Sequence, residues 1–455
     1  MDEIHEECGV FGIWSPPGTE VAEDIYAGLV ALQHRGQESA GAAVTDTAGA
    51  RGNIAALKGM GLVSEVFGPK EMESLKGNMG VGHVRYSTTG ESSLTNAQPI
   101  VMNYIKGTLV FVHNGNIVNA DEIRQNQMYR GQAHYTTTDS EVFAYEIISR
   151  RIEASSIEEA VLDAAKSMKG GYACIIMSPG KLVGIRDPYG IKPLVIGKKG
   201  SAYILASESA ALEAVGGMLI RDVRPGEIVT LTEGQIQSIE SMCEGRRAHC
   251  AFEYIYFARP DSVLDGVEVH DARVKAGRAL ARSAPAEADL VAGVPDSGLV
   301  AAEGFAKESG IPFALAFYKN SYVGRSFIRP TDEERIRAVH SKLSVLKSAV
   351  CGKRIVLIDD SLVRGTTMRQ IVEMLREAGA LKVHVRISSP PFRYPCYYGT
   401  DVPSSRQLIA ADHTAEDICR EIGADSLFYL NQEDLLSMTG NLPLCTACFD
   451  SRYPA

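Results

Sequence analysis

Several short segments of this sequence carry side chains that could do chemistry together. Cys8 sits in EECGVFG, a thiol directly before a glycine and an apolar run. A cysteine in that setting ordinarily packs as a small hydrophobe. Arg85 follows a strand-like run in HVRYSTTG (83–90). Asn114 and Gly115 end another in FVHNGNIVN (111–119), where a turn would expose backbone N–H groups. Asp139 opens a helix-like run in TTTDSE (136–141). Each segment by itself reads as a surface turn. Together they supply a thiol nucleophile in Cys8 and an amide side chain with a backbone N–H for an oxyanion in Asn114 and Gly115. Arg85 and Asp139 match the carboxylate and ammonium of an α-amino acid.

A second constellation lies in RIVLIDDSLVRGTT (354–367). An apolar strand ends in Asp359 and Asp360, and a Gly/Ser/Thr-rich turn then opens a helix. Hydroxyls, turn N–H groups and a helix N-terminus make a phosphate cradle. The adjacent carboxylates suit ribose hydroxyls and a hard Mg²⁺ ion. The plainer alternative is a strand–helix turn with a side-chain cap.

The chain has nine cysteines, an odd count that argues against a disulfide framework. Cys174, Cys351 and Cys419 read as inert core thiols, and Cys243 as ordinary. Cys445 and Cys448 form a C-x-x-C pair, Cys250 precedes FEYIYFARPDS, and Cys396 lies in SPPFRYPCYYG. Four thiolates could enclose a metal only if the fold brings three chain regions together. C-x-x-C leaves zinc, a redox dithiol and an iron–sulfur cluster open, and spacing alone favours zinc.

These residues need a large scaffold. The 455 residues, 45% hydrophobic, suggest two domains. The first half alternates glycine turns with short apolar runs (GVFGIW, TLVFVHNGNI, YACIIMS, YILASES), with helices over roughly 21–33, 140–153 and 156–168. A β-rich sandwich covered by helices follows. Near residue 240 the pattern becomes strand–turn–helix, which implies a parallel sheet. Met368, Ile371, Val372 and Leu375 fall on one helical face, and Gly379 stands where a C-cap glycine belongs. The net charge of −10 disfavours a nucleic-acid or anionic-membrane surface. No apolar run reaches the roughly 18 residues of a membrane helix, and MDEIHEE lacks signal-peptide features. A cytoplasmic, soluble protein is expected.

With QHRGQESAG (33–41), RDPYGIKPL (186–194) and ASES (206–209), the first-half segments resemble the class II, N-terminal-nucleophile glutamine amidotransferases. The resemblance implies a four-layer αββα sandwich. It also implies that Cys8 becomes the first residue after removal of a leader, 1–7, so that its free α-amine serves as base. An amide nitrogen cannot do this, whereas an α-amine has a reference pKa of about 7.7–8.0. Cys8 would attack the glutamine carboxamide, Asn114 and Gly115 would hold the oxyanion, and Arg85 and Asp139 would bind the glutamine backbone.

RIVLIDDSLVRGTT resembles the signature of type I phosphoribosyltransferases. By that resemblance Asp359 and Asp360 contact the ribose diol or Mg²⁺, and Ser361, Arg364, Gly365, Thr366 and Thr367 wrap the 5′-phosphate. VPDSGLVAA (294–302) is similar to the pyrophosphate loop, with Ser297 near the metal. Residues 317–343 resemble a mobile flap carrying Lys319, Arg325, Arg329, Arg337 and Lys342. A charged solvated loop is the plainer alternative.

Both halves together resemble the amidophosphoribosyltransferases, with a leader at 1–7, an amidotransferase domain at 8–235 and a phosphoribosyltransferase domain at 236–455. Cys250, Cys396, Cys445 and Cys448 match the [4Fe–4S] ligands of the branch that also carries a leader. YIYFARPDS (254–262) resembles a coupling segment, with Tyr256 and Arg259 as candidates for relaying occupancy. The implied partners are glutamine, phosphoribosyl pyrophosphate and inhibitory purine nucleotides, in a homotetramer. Two other readings compete: a regulator that senses phosphoribosyl pyrophosphate, which the acidic charge disfavours, and an amidotransferase with an inactive second half, which the intact Asp359/Asp360 pair disfavours.

Overall fold

The computed structural model describes residues 8–49, 53–86, 92–320, 343–400, 402, 404–405 and 408–454. The first half is built on two antiparallel sheets. Seven strands run in the order 218–222, 195–199, 202–206, 9–14, 79–85, 39–45 and 54–60. Six run in the order 235–239, 228–232, 181–186, 170–178, 107–117 and 100–104. Val10, Trp14, Val81 and Leu205 from the first sheet meet Val110, Val112, Ile175 and Val229 from the second in one apolar layer. The sheets approach closely, since a Cβ on Gly12 would come within 3.0 Å of Ile175.

Alternation along each strand turns the intervening residues outward. Phe11, Ile13 and Val44 pack under helix Ala22–Ala31 through Ile25 and Leu29. Phe111, Tyr172, Cys174 and Ile176 pack under helices Asp139–Glu153 and Ile157–Ala165. The result is the expected four-layer sandwich. Helices Ala120–Tyr129 and Ser209–Ala214 add to the three anticipated from the sequence. Strand Gln235–Ile239 pairs with Ile228–Thr232, so the second sheet runs past residue 235.

In the second half, four parallel strands run in the order Leu290–Gly293, Arg354–Asp359, Lys382–Ile387 and Ser426–Tyr429. Val356 and Ile358 face Ala301, Ala302 and Phe305 of helix Leu299–Ser309. Ile355 and Leu357 face Met368, Ile371, Val372 and Leu375 of helix Thr366–Glu377. That apolar stripe is buried as its spacing predicts, each side chain contributing about 1.5–3 kcal/mol. Gly379, at φ 95°, follows the helix as its C-cap glycine. Helices therefore cover both faces of the sheet, and the strands Leu290–Gly293 and Arg354–Asp359 send theirs to opposite sides. The crevice at their carboxyl ends is where open α/β sheets bind ligands. No described helix is long and apolar enough to cross a membrane.

Candidate active sites

Cys8 immediately precedes the central strand of the seven-stranded sheet and is buried. Its Sγ donates to the Tyr86 carbonyl at 3.4 Å, and its own carbonyl accepts from Arg35 Nε at 3.1 Å. Burial pushes the thiol up to about 11, against the opposing pull of Arg85, while Asp139 adds a smaller upward push. Cys8, Arg85 and Asp139 are thus within electrostatic reach of one another. At neutral pH Cys8 is an un-ionised thiol and needs a base to become a nucleophile.

Arg85 ends strand Met79–Arg85 and is buried. Gly36 lies flat on its backbone: a Cβ there would sit 2.6 Å from the Arg85 carbonyl carbon, which explains the glycine of QHRG. Asp139 is the first residue of its helix, where the helix dipole favours a carboxylate. Its Oδ2 accepts the Ile117 N–H at 2.8 Å, which pins the end of strand Gly107–Ile117.

Asn114 and Gly115 lie inside that strand and not at a turn after it. Asn114 pairs with Ala173 and Gly115 with Tyr172, because strand Gly170–Ser178 runs alongside as far as Ile117. Gly115 has φ 135°, and a Cβ would strike the Gly171 carbonyl at 2.0 Å, so the strand must carry glycine here. Asn114 is fully buried, yet among the described residues neither its Oδ1 nor its Nδ2 has a hydrogen-bond partner. Leaving such a group unpaired costs about 1–3 kcal/mol, so this amide stands apart from the paired polar groups of the core.

Sequence reasoning passed over the groups that fix this amide. The His113 N–H donates to Gln98 Oε1 at 2.7 Å, and the His113 carbonyl accepts from His83 Nε2 at 2.9 Å. The residue preceding Asn114 is held through both its N–H and its carbonyl. Because the acceptor is a carbonyl, Nε2 carries the His83 proton. Burial lowers His83 to about 3, with the His113 bond opposing, so the ring is neutral at physiological pH. Below about 6.5 the unfolded chain binds a proton at His83 that the folded chain refuses. This contribution to stability is full above that pH and declines as pH falls towards 3. His83→Gln, which cannot take up that charge, should flatten the melting temperature between pH 4 and 7. Parallel melting curves across that range would show the idea wrong.

At the other crevice, Asp359 closes its strand and Asp360 is buried just beyond it. Ser297 Oγ donates to Asp359 Oδ1 at 3.4 Å, and Ser361 Oγ donates to Asp360 Oδ2. Gly365, at φ 86°, caps helix Thr366–Glu377, so Ser361, Arg364, Thr366 and Thr367 surround its N-terminus. A Cβ on Gly298 would strike the Ile358 carbonyl at 2.3 Å, which presses the Ser297–Gly298 loop onto the strand bearing Asp359. Lys319 pairs with Asp296 of that loop. Arg325, Arg329, Arg337 and Lys342 lie outside the described residues, as do residues 1–7.

Residues 83–214 match the model of the glutamine amidotransferase domain, and residues 267–389 that of the phosphoribosyl transferase domain. The amidophosphoribosyltransferase of Methanothermobacter thermautotrophicus is 46% identical over 99% of this chain and 95% of its own. That of Bacillus subtilis is 45% identical over 99% of this chain and 94% of its own. The chain belongs to the amidophosphoribosyltransferase family. The B. subtilis glutamine phosphoribosylpyrophosphate amidotransferase, solved with ADP and GMP, superposes with a TM-score of 0.91 at 44% identity, covering 98% of this chain and 97% of that one. A solved allosteric regulatory enzyme of purine biosynthesis fits equally, at 0.91 and 44%.

As in a family with a transferase half joined to an amidotransferase half, one further cluster spans the two. Cys250, Cys396, Cys445 and Cys448 all line a single small pocket, together with Lys192 of the first half. A short parallel bridge, His249–Cys250 with Leu444–Cys445, brings two of the three chain regions together. Burial pushes the Cys445 thiol up to about 12. None of the four is in a disulfide. Among the described residues no three metal-binding side chains converge on a single ion. Asn116, two residues past Asn114, donates to the Tyr397 carbonyl at 2.8 Å, so the pocket wall touches the strand that bears the free amide.

Proposed function

We propose that this chain converts phosphoribosyl pyrophosphate and glutamine to 5-phosphoribosylamine, glutamate and pyrophosphate, the first committed step of purine synthesis. One observation carries the reading. A single chain joins a buried thiol flanked by Arg85 and Asp139 to an Asp359–Asp360 cradle at the crevice of a parallel sheet. On this reading the two units, 8–235 and 236–455 by the sequence, divide near residue 240, which the pairing of strand Gln235–Ile239 within the first-half sheet supports.

Removal of residues 1–7 gives Cys8 a free α-amine. The amine takes the Sγ proton, Sγ attacks the carboxamide carbon, and the Asn114 amide and Gly115 N–H receive the oxyanion. The C–N bond breaks, ammonia leaves with the returned proton, and water hydrolyses the thioester to glutamate. Arg85 holds the substrate carboxylate and Asp139 its ammonium. Ammonia then attacks the anomeric carbon, the C–O bond breaks, and pyrophosphate leaves with the electron pair. Bulk water would protonate the ammonia, so a sheltered route between the halves fits the chemistry. Ser361, Arg364, Gly365, Thr366 and Thr367 hold the 5′-phosphate at the helix N-terminus.

Ser297, Asp359 and Asp360 form an all-oxygen donor set that suits Mg²⁺, which would neutralise the departing pyrophosphate. The four pocket cysteines suit an iron–sulfur cluster. Four thiolates would also satisfy a lone tetrahedral zinc ion, and the iron and zinc contents of the purified protein separate the two. Purine nucleotides as feedback ligands and a homotetrameric assembly complete the reading, the former supported by the ADP and GMP in the B. subtilis relative.

The direct test measures pyrophosphate and glutamate together from glutamine, phosphoribosyl pyrophosphate and Mg²⁺. Equimolar release supports the reading, and glutamate without pyrophosphate sinks it. Asn114→Ala should lower glutamine-dependent turnover by roughly 10²–10³-fold. Because its amide has no partner to lose, the variant should melt no lower than the parent. A large drop in melting temperature would show the amide to be structural.

A further inference from the structure

The cysteine pocket holds a charged side chain that the proposed chemistry leaves unused. Among the described residues lining it, Lys192 alone carries a charge. Lys192 is 1% exposed, so its ammonium does not reach out to water as a surface lysine's does. A lysine this deep is rare unless negative charge stands beside it.

Two buried side chains fix the Lys192 backbone. Its N–H donates to Asp187 Oδ2 at 3.0 Å, and its carbonyl accepts from Arg186 Nε at 2.7 Å. Asp187 also gathers the Tyr189 and Ile191 N–H groups, at 3.0 Å each, which closes the loop that carries the lysine. That loop is joined to the pocket, because the Cys250 N–H donates to the Ile191 carbonyl at 3.3 Å. The far end of the side chain lies against Gly399. A Cβ there would sit 2.7 Å from Lys192 Nζ and 3.1 Å from its Cε. Gly399 stands between Tyr398 and Thr400, which both line the pocket, and the Tyr398 N–H donates to Cys396 Sγ at 3.4 Å. The ammonium is thus held from both ends beside the four sulfurs. Cys445 feels Lys192 and Cys396 with opposite sign, and Cys250, Cys396 and Cys445 all act on Cys448.

Four thiolates around zinc, or around an iron–sulfur core of the same charge, make a doubly negative group. Burying such a group without a cation is costly. We propose that Lys192 is the counter-cation of a metal centre held by Cys250, Cys396, Cys445 and Cys448. It offsets the charge of the ligated thiolates and so strengthens their hold on the metal. In a redox-active centre it also favours the state with one more electron. The inference rests on the reading of the pocket as a metal site, and it is the same for iron–sulfur and for zinc.

The test uses the full chain, purified and loaded without oxygen, in competition with EDTA. Bound iron and zinc are counted by metal analysis while the visible absorbance is followed. Lys192→Met, which keeps the length and removes the charge, should hold its metal about 10–100-fold more weakly than the parent. Lys192→Arg should hold it as the parent does. Where the metal is iron, the midpoint potential should move to more negative values in Lys192→Met and stay at the parent's in Lys192→Arg. Should Lys192→Met not fold, Lys192→Gln takes its place as the neutral variant. A neutral variant that keeps its metal as tightly as the parent overturns the counter-cation, as does Lys192→Arg losing metal as readily as the neutral variant. A parent that binds neither iron nor zinc overturns the metal reading of the pocket itself, and the inference with it.

Discussion

Cys8→Ser is expected to lose glutamine-dependent synthesis by roughly 10⁴-fold or more and to keep synthesis from ammonium salts. The asymmetry follows from the architecture. Cys8 opens the central strand of the antiparallel sandwich, whereas the cradle sits on a parallel sheet with one core of second-half residues alone and a second that is continuous with the first half, Cys8 belonging to neither. A serine in place of the buried thiol disturbs neither core of the second sheet. Hydroxyl for sulfur removes the better nucleophile and leaves a group that even a neighbouring amine activates poorly. Pyrophosphate release should be measured at a pH near 9, where enough free ammonia is present. Loss of both activities together would mean that the thiol serves the fold, and retention of both would dispose of the nucleophile assignment.

The same chemistry sets a pH dependence. The thiol, raised to about 11 by burial, contributes almost no thiolate at neutral pH. On the reading proposed above the base is the α-amine, whose reference pKa is about 7.7–8.0. Below that range the amine is protonated and cannot accept the Sγ proton, so glutaminase activity in the mature chain should rise with pH through it. A chain that still carries residues 1–7 has no such amine at Cys8 and should show neither the activity nor the rise.

Motif residues and element types were readable in the sequence because each rests on local physics. The Met368–Leu375 stripe, the Gly379 cap and the Asp359–Asp360 strand end all follow from spacing within one element. Asn114–Gly115 was read as a turn because Asn-Gly ordinarily turns a hairpin. It is strand because Gly170–Met177 pairs with residues 110–117, and Gly115 is there for a contact with the Gly171 carbonyl. His83 and Gln98 gave no signal. Their roles are defined by a partner 15 to 30 residues away, His113 in both cases, and no periodicity encodes such pairs.

The largest expected effect on stability belongs to the cysteine pocket. Protein purified without oxygen should be brown and hold about four iron atoms per chain. Cys448→Ser should lose that iron and its visible absorbance, and should unfold at a markedly lower temperature than the loaded parent. The reasoning is linkage. A cofactor that binds only the folded chain adds its binding free energy to folding, and for structural metal sites this reaches about 10–16 kcal/mol. The four pocket cysteines come from residue 250, residue 396 and the 445–448 pair, so a group bound by them would staple the carboxyl-terminal segment to the junction between the halves. Its loss should be felt first at Tyr397, whose carbonyl holds Asn116, and through that strand at the Asn114 amide. Glutaminase should therefore fail before ammonia-driven synthesis as the variant is warmed. Colourless parent protein with one zinc would reject the cluster, and a Cys448→Ser chain with its iron intact would reject the ligand assignment.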